Sequence, residues 1–81
     1  MPERLLIEIG QRIRSQRKAK GYSSAEKFAY SINMDRSQYS RCERGHNMTI
    51  LTLSKICNAL DLTLADLLQD IEITEECISD E

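Results

Sequence analysis

Glycine and proline are scarce in this 81-residue sequence, which contains three and one of them respectively. No segment alternates apolar and polar residues as a half-buried strand does, so the pattern predicts an all-α protein. No apolar run approaches the roughly 20 residues that span a bilayer. The first residues, MPERLLIEIG, lack the basic segment and long apolar stretch of a signal peptide, so we expect a cytoplasmic location.

Side chains that support catalysis or bind metals are also few. The sequence contains one histidine, His46, no glycine-rich phosphate loop, and no spacing typical of a Ser/His/Asp or Cys/His site. Cys42, Cys57 and Cys77 are an odd number without close spacing, which argues against a disulfide framework or a zinc site. We therefore expect no enzyme, no metal and no cofactor. Cys42 and Cys57 are predicted to be small buried apolar residues.

The net charge of −2 conceals an uneven distribution. Residues 1–46 contain ten Lys and Arg against five Asp and Glu, whereas residues 47–81 contain one Lys against eight acidic residues. This separation favours a cationic face toward an anionic partner, with a solvated surface of chance asymmetry as the alternative. The last residues, DIEITEECISDE, include six acids and read as a partly ordered tail. We divide the chain into a domain, 1–69, and an acidic tail, 70–81.

The first predicted helix runs from Pro2 or Glu3 to Lys20. Gly21 can end it, because glycine readily adopts the left-handed backbone conformation. Spacings of three and four residues place four side chains on one face of this helix: Leu6, Ile9, Ile13 and Arg17. An arginine is unexpected on such an apolar stripe.

The second helix is predicted to begin at Ser23, which forms a capping box with Glu26. It ends at Asn33, since asparagine tolerates the left-handed conformation. Its inward-facing residues are Phe28, Ala29 and Ile32. Only the residues NMD separate it from the next helix, so the two helices must cross steeply.

The third helix lies in the segment MDRSQYSRCERG. Asp35 can cap it, with Gln38 at the capping-box position, and Gly45 can end it. At about 100° per residue, one face carries hydroxyl and guanidinium groups. These residues are Arg36, Ser37, Ser40, Arg41 and Arg44. Tyr39 and Cys42 point to the opposite side, which is modestly apolar.

Two further helices are predicted in the second half of the domain. Thr49 caps the fourth helix, and Asp61 can take the left-handed turn after it. Thr63 and Asp66 form a capping box for the fifth. The buried positions are predicted to be Leu53, Ile56, Cys57 and Leu60, followed by Leu64, Leu67 and Leu68.

A tight turn before a cationic helix is typical of a helix-turn-helix element, whose second helix enters the DNA major groove. Arg36 and Arg41 are the first candidates for reading bases, because a guanidinium can bind guanine N7 and O6 with two hydrogen bonds. Ser37 and Ser40 are short enough to allow close approach while bonding a base edge or a phosphate. Gln38, at the margin of this face, could read adenine.

Phosphate contacts are predicted on the rim of the same surface. Arg44, His46 and Asn47 follow the recognition helix where the chain should cross the DNA backbone. Ser23 and Ser24 precede the second helix, whose free amides and positive dipole end suit a phosphate. Longer-range attraction can come from Arg12, Arg14, Lys18 and Lys27.

The sequence resembles the Cro/CI-type helix-turn-helix domain of phage repressors and many small bacterial regulators. The matching segments are IGQRIRSQRKAKG, FAYSINMDRSQYSRCERG and LTLSKICNALDLTLADLL. The resemblance implies a compact five-helix bundle of the lambda-repressor-like type and sequence-specific binding of double-stranded DNA by a transcriptional regulator. It also implies that Arg17 pairs with Glu43 beneath the recognition helix, which agrees with the need of a buried guanidinium for a carboxylate.

The segment NMTILTLSKI is similar to restriction–modification controller proteins, and phage-type repressors and antitoxins are close competitors. Many relatives begin the second helix with Ser/Thr-Gln, where this chain has GYSSAEKFA, so the phosphate contact at this corner is in question. We expect a homodimer, since homodimers read two half-sites about one helical turn apart. The fifth helix and the following segment are the expected contact. The alternative function is an antitoxin or adaptor that binds a protein partner through the acidic tail.

Overall fold

Five α-helices make up residues 4–71, the part of the chain that this computed structural model describes. In chain order they are α1 (Arg4–Ala19), α2 (Ala25–Ser31), α3 (Arg36–Glu43), α4 (Ile50–Ala59) and α5 (Leu64–Leu68). Residues 4–71 contain no strand, and the predicted all-α, five-helix fold is confirmed. None of these helices is both long enough and apolar enough to cross a membrane. The predicted first turn at Pro2 or Glu3, Cys77 and most of the acidic tail lie outside the described residues.

Polar side chains cap the N-termini of α3, α4 and α5, as predicted. Asp35, Thr49 and Thr63 each accept the backbone N–H of the residue three positions further on. Thr63 and Asp66 together complete the predicted capping box of α5. Each such cap satisfies an amide that the helix itself leaves unpaired, and a cap contributes about 1 kcal/mol to stability.

The cap of α2 differs from the prediction. Ser24, not Ser23, precedes the helix with an extended backbone, and its Oγ accepts an amide N–H at 3.1 Å. The predicted capping box between Ser23 and Glu26 is therefore wrong. The carbonyl of Tyr22 accepts a bond from the Arg17 side chain, and the amide of Tyr22 bonds to the Arg17 carbonyl. These two bonds hold the chain just before α2 against the end of α1.

The predicted helix ends are confirmed by backbone geometry. Asn33 and Asp61 have φ values of 58° and 59°, and Gly21 and Gly45 have φ values of 102° and 91°. These values lie in the left-handed region, which asparagine, aspartate and glycine reach at lower cost than other residues. Asn33 lies in a connection of four residues, 32–35, between α2 and α3, so the two helices form a tight helix-turn-helix.

The core lies where α1, α2, α3, α4 and α5 meet. Its fully buried side chains include Ile13, Phe28, Tyr39 and Ile56. The ring of Phe28 lies 5.1 Å from that of Tyr39, and 5.1 Å from that of half-buried Tyr22 on its other side. These contacts join α2 to the back of α3. The expected burial of the free cysteines Cys42 and Cys57 is confirmed.

Helix α5 contains the three leucines that were predicted to be buried, but the structure buries them to different extents. Leu67 is buried, Leu64 is half-buried, and Leu68 is 36% exposed. The prediction that Leu68 faces the core is therefore wrong. The helix ends at Leu68, and Arg12 of α1 donates hydrogen bonds to the carbonyls of Leu67 and Gln69 there. Arg12 thus has a structural role at the end of α5. The sequence had suggested only a longer-range attraction of DNA for this residue.

Helices α1 and α3 approach each other through their backbones at Gly10. A Cβ atom at this position would lie 2.5 Å from the carbonyl oxygen of Glu43 and 2.7 Å from that of Cys42. No larger residue fits without moving one of the two helices. The last turn of α3 is therefore seated directly on α1, and this contact sets the position of the helix-turn-helix on the domain.

Candidate DNA interface

Helix α3 presents its polar face to solvent and its apolar face to the core. The side chains of Arg36, Ser37, Gln38, Arg41 and Arg44 are exposed, and Ser40 is half-buried. On the opposite side, Tyr39 is fully buried and Cys42 is 3% exposed. The guanidinium and hydroxyl groups that the sequence places on one face are therefore available to a ligand.

These groups line an open depression of about 630 Å³ between α1, α2 and α3, which we call the arginine depression. Its polar lining is contributed by Arg14, Glu26, Arg36, Ser37, Ser40, Arg41, Glu43 and Arg44. Four guanidinium groups around one concave surface create a positive potential that favours an anionic ligand. Gln38 is exposed but lies outside this lining.

A buried ion pair anchors the recognition helix from below. Arg17 is 3% exposed, and its Nε donates to Glu43 Oε2 at 2.7 Å. Its Nη1 donates to the carbonyl oxygen of Tyr22 at 2.7 Å, and the Tyr39 hydroxyl donates to the same Glu43 oxygen. The pair that the family resemblance implies is present in the structure. It explains how an arginine can occupy the apolar face of α1.

Tyr39 is a permanent hydrogen-bond donor in this network. Burial, together with the hydrogen bond to Glu43 and its negative charge, raises the pKa of Tyr39 far above its usual value. The phenol therefore stays neutral and keeps its proton directed at the carboxylate. Its buried position excludes the phosphate contact that the sequence left open for Tyr39.

The thiol next to this network is also kept protonated. Burial, followed by the charge of Glu43, raises the pKa of Cys42. Because the thiolate is the reactive form of cysteine, the Cys42 side chain is a packing group behind α3 and no nucleophile.

Of the predicted phosphate-binding residues, Arg44 lines the arginine depression, whereas Ser23, Ser24, His46 and Asn47 do not. Several of them also have structural roles. Arg44 caps the C-terminus of α3, and the side-chain oxygen of Asn47 accepts the N–H of Met48 at 2.9 Å. His46 is exposed between them. The Ser24 hydroxyl accepts the amide that it caps, but a hydroxyl also has one proton to donate. Ser23 is exposed beside it.

Two residues of the arginine depression were missed or undervalued by the sequence pattern. Arg14 was expected only to add distant attraction, but it lines the depression from α1. Glu26 was expected to cap α2, but its Oε1 accepts a bond from Arg36 Nη1 at 3.4 Å. Both placements depend on how α1 and α2 pack beside α3. No motif within either helix signals them.

A family model described as helix-turn-helix matches residues 13–67, which is more than half of the chain. The chain belongs to the helix-turn-helix family. This helix-turn-helix protein is 40% identical over 67 residues to the control protein C.MunI from a Mycoplasma species. That similarity covers 82% of this chain and 90% of C.MunI.

Two crystal structures resemble this helix-turn-helix protein. The restriction-modification controller protein C.AhdI from Aeromonas hydrophila is 38% identical, with a TM-score of 0.70 over 76% of this chain and 94% of that one. The clp gene regulator ClgR from C. glutamicum is 30% identical, with a TM-score of 0.72 over 84% and 88%. The predicted Cro/CI-type fold and the similarity to controller proteins are confirmed. All three relatives are described as control or regulatory proteins, in agreement with the predicted DNA-binding regulation.

Proposed function

We propose that this protein is a homodimeric transcriptional regulator that binds double-stranded DNA sequence-specifically, with residues 36–44 in the major groove. The main support is the orientation of α3, which exposes its guanidinium and hydroxyl side chains above a buried Tyr39. An α-helix fits the major groove, where base edges present acceptors for such donors. The arginine depression provides the positive field that draws DNA onto this face.

In this proposal, α3 reads bases with five side chains: Arg36, Ser37, Gln38, Ser40 and Arg41. Arg36 and Arg41 bind guanine through their guanidinium groups, since both lie on the exposed side of the helix. Ser37 and Ser40 keep the helix close to the base edges because their side chains are short. Gln38, beside the depression, is suited to an adenine at the margin of the site.

The DNA backbone is bound around this centre by Ser23, Ser24, Arg44, His46 and Asn47. Arg14 adds a sixth contact, because it lines the same depression from α1. Contacts of this kind position the protein on the duplex and contribute affinity that is independent of sequence. Only the cationic contacts release counterions, and Arg14 and Arg44 of two subunits would neutralise about four phosphates. Affinity should therefore fall by about a hundredfold between 50 and 200 mM salt.

The dimer contact is proposed at an apolar groove of about 260 Å³ between α1, α4 and the end of α5. Ile50, 63% exposed, and Leu68, 36% exposed, lie on its walls, and Ile71 lines it as well. Leu51, next to Ile50, is 81% exposed. A thin core in a chain of this size gains stability when a second copy covers such side chains. The proposed dimer contact therefore includes the start of α4 in addition to α5, where the sequence led us to expect it.

The cellular role that we propose is control of restriction–modification genes. The support is the 40% identity to the control protein C.MunI and the 38% identity to the controller protein C.AhdI. The division into a DNA-binding domain, residues 1–69, and an acidic tail, residues 70–81, belongs to the same proposal. We also place the protein in the cytoplasm, where its DNA target is found.

Selection of bound duplexes from a random DNA library tests this function. We expect an enriched sequence made of two similar half-sites, with centres about 10 base pairs apart or a multiple of that spacing. A salt titration on the selected duplex should show the steep loss of affinity described above. Recovery of no preferred sequence at low salt would refute sequence-specific binding and favour a protein-interaction module.

A further inference from the structure

The arginine depression contains one exposed carboxylate, that of Glu26. Its Oε1 lies 3.4 Å from Nη1 of Arg36, and both side chains are 66% exposed. Glu26 stands in the first turn of α2, and Arg36 is the first residue of α3. The pair therefore bridges the two helices of the helix-turn-helix on the side that faces DNA in the proposed function.

Stability does not explain this carboxylate. An ion pair that is two-thirds exposed is screened by water and contributes little to folding. An acid in the first turn of a helix gains only a small favourable interaction with the helix dipole. Next to a DNA duplex, a carboxylate also repels the phosphates and weakens binding to any sequence. The Glu26 carboxylate therefore lowers the affinity for DNA in general. Any benefit that it brings must come from its effect on Arg36.

We propose that Glu26 is a positioning residue that gives Arg36 its base specificity. A guanidinium has five N–H donors in one plane, so one donor can stay on Glu26 while another edge binds guanine N7 and O6. Held in this way, Arg36 has fewer orientations in which to bind a phosphate or a wrong base. Where no guanine draws the guanidinium forward, the Glu26 charge faces DNA unfavourably and opposes binding.

This inference rests on the proposed function and predicts a difference between specific and non-specific DNA. Glu26→Gln removes the charge and keeps the size of the side chain. The variant should bind an unrelated duplex more tightly than wild type, because a repulsive charge is gone. Its ratio of specific to non-specific affinity should fall by about tenfold, within the range of one base contact.

The chain offers a matched control in Glu8→Gln. Glu8 also forms an exposed ion pair, with Arg12 at 3.1 Å on α1, and it does not line the arginine depression. The control changes the net charge by the same amount. It should raise affinity for both duplexes by one common factor, or leave both unchanged, so the ratio stays at the wild-type value.

The experiment measures affinities for the selected duplex, for its single-base-pair variants and for an unrelated duplex. Glu26→Gln and Arg36→Ala should lose preference at the same base pair. In the double variant, Glu26→Gln should have no further effect on that preference. Thermal melting of every variant, with values close to wild type, confirms that the fold is retained.

Two results would overturn the inference. In the first, Glu26→Gln changes both affinities by one factor, as Glu8→Gln does, and the carboxylate is then only part of the general charge. In the second, its effect on preference persists without Arg36, and Glu26 then reads a base itself. A wild-type protein with no preferred sequence would instead refute the proposed function, before any variant of Glu26 is compared.

Discussion

Replacing Arg17 by alanine tests the buried anchor of the recognition helix. Arg17 is 3% exposed, and it lies 2.7 Å from both the Glu43 carboxylate and the Tyr22 carbonyl oxygen. Alanine would leave the Glu43 carboxylate, 9% exposed, with the Tyr39 hydroxyl and no counter-charge. It would also orphan the carbonyl of Tyr22. Removal of one partner from a buried ion pair costs about 3–5 kcal/mol.

This cost is large for so small a domain. At about 0.05–0.15 kcal/mol per residue, a chain of this length has a total stability of about 4–12 kcal/mol. Each kcal/mol corresponds to about 4–8 °C in Tm for a domain of this size, so Tm should fall by at least about 12 °C. Thermal melting followed by far-ultraviolet circular dichroism measures the change, and urea titration gives the free energy of unfolding.

Two further variants distinguish the cost of breaking a buried ion pair from the cost of removing any arginine side chain. Arg36→Ala removes a guanidinium from an exposed pair and should change stability by about 1 kcal/mol or less. Arg17→Met combined with Glu43→Leu should recover part of the lost stability, because no unpaired charge remains in the interior. The recovery is incomplete because the Tyr39 hydroxyl and the Tyr22 carbonyl lose their partners. If Arg17→Ala melts as close to wild type as Arg36→Ala does, the pair is not buried in solution and the reasoning fails.

Four further predictions follow from the geometry. Arg36→Ala should relax preference at one base pair by about five- to 150-fold in duplex-binding assays, whereas Arg44→Ala should weaken all duplexes alike. Gly10→Ala would place a Cβ 2.5 Å from a backbone oxygen and should cost about 1–3 kcal/mol in urea unfolding. Burial raises the pKa of Tyr39, so the folded phenol keeps its proton where the unfolded chain loses it. The stability that the protonated phenol contributes should therefore be fully present below pH about 10 and decrease at higher pH. In Tyr39→Phe, Tm should decrease less steeply with pH above about 10. Ile50→Glu should yield a folded monomer in sedimentation experiments, because Ile50 is exposed at the proposed dimer groove.

Each of these has a result that contradicts it. If Arg36→Ala lowered the affinity for every duplex by the same factor, Arg36 would bind a phosphate and not a base. A Gly10→Ala variant as stable as wild type would show that α1 and α3 are not in backbone contact. An unchanged alkaline slope in Tyr39→Phe would place the phenol in solvent. A dimer that survives Ile50→Glu lies elsewhere, and Tyr30→Glu, at an aromatic residue 88% exposed outside the groove, is the control that should leave it intact.

Most of the fold was predictable because its signals are local. Caps at Asp35, Thr49 and Thr63 and a left-handed turn at Asn33 depend on the chemistry of one or two neighbouring residues. The periodicity of α3 likewise determines which of its residues share a face. Local signals fail where neighbours are equivalent, as with Ser23 and Ser24, which are chemically identical caps. The choice between them is made by the path of the chain after α1, which neither serine encodes.

The remaining features depend on packing between helices, which no short pattern encodes. Arg12 lies on a cationic stretch, but it donates to the carbonyls at the end of α5. Arg14 and Glu26 reach the arginine depression only because α1 and α2 pack on either side of α3. The site thus gains members that belong to other helices, and sequence reasoning restricted to α3 cannot find them.

The buried ion pair links the stability of the domain to the orientation of its recognition helix. Apolar contacts behind α3, at Tyr39 and Cys42, hold the helix against the core, but such contacts are not directional. Hydrogen bonds are directional, and Glu43 accepts one from Arg17 and one from Tyr39 at the same carboxylate. Those two bonds fix the rotation of α3, and successive residues differ by only about 100° in direction. In the proposed complex with DNA, this rotation decides which side chains reach the base edges. The buried ion pair then determines how the exposed arginines of α3 meet the duplex.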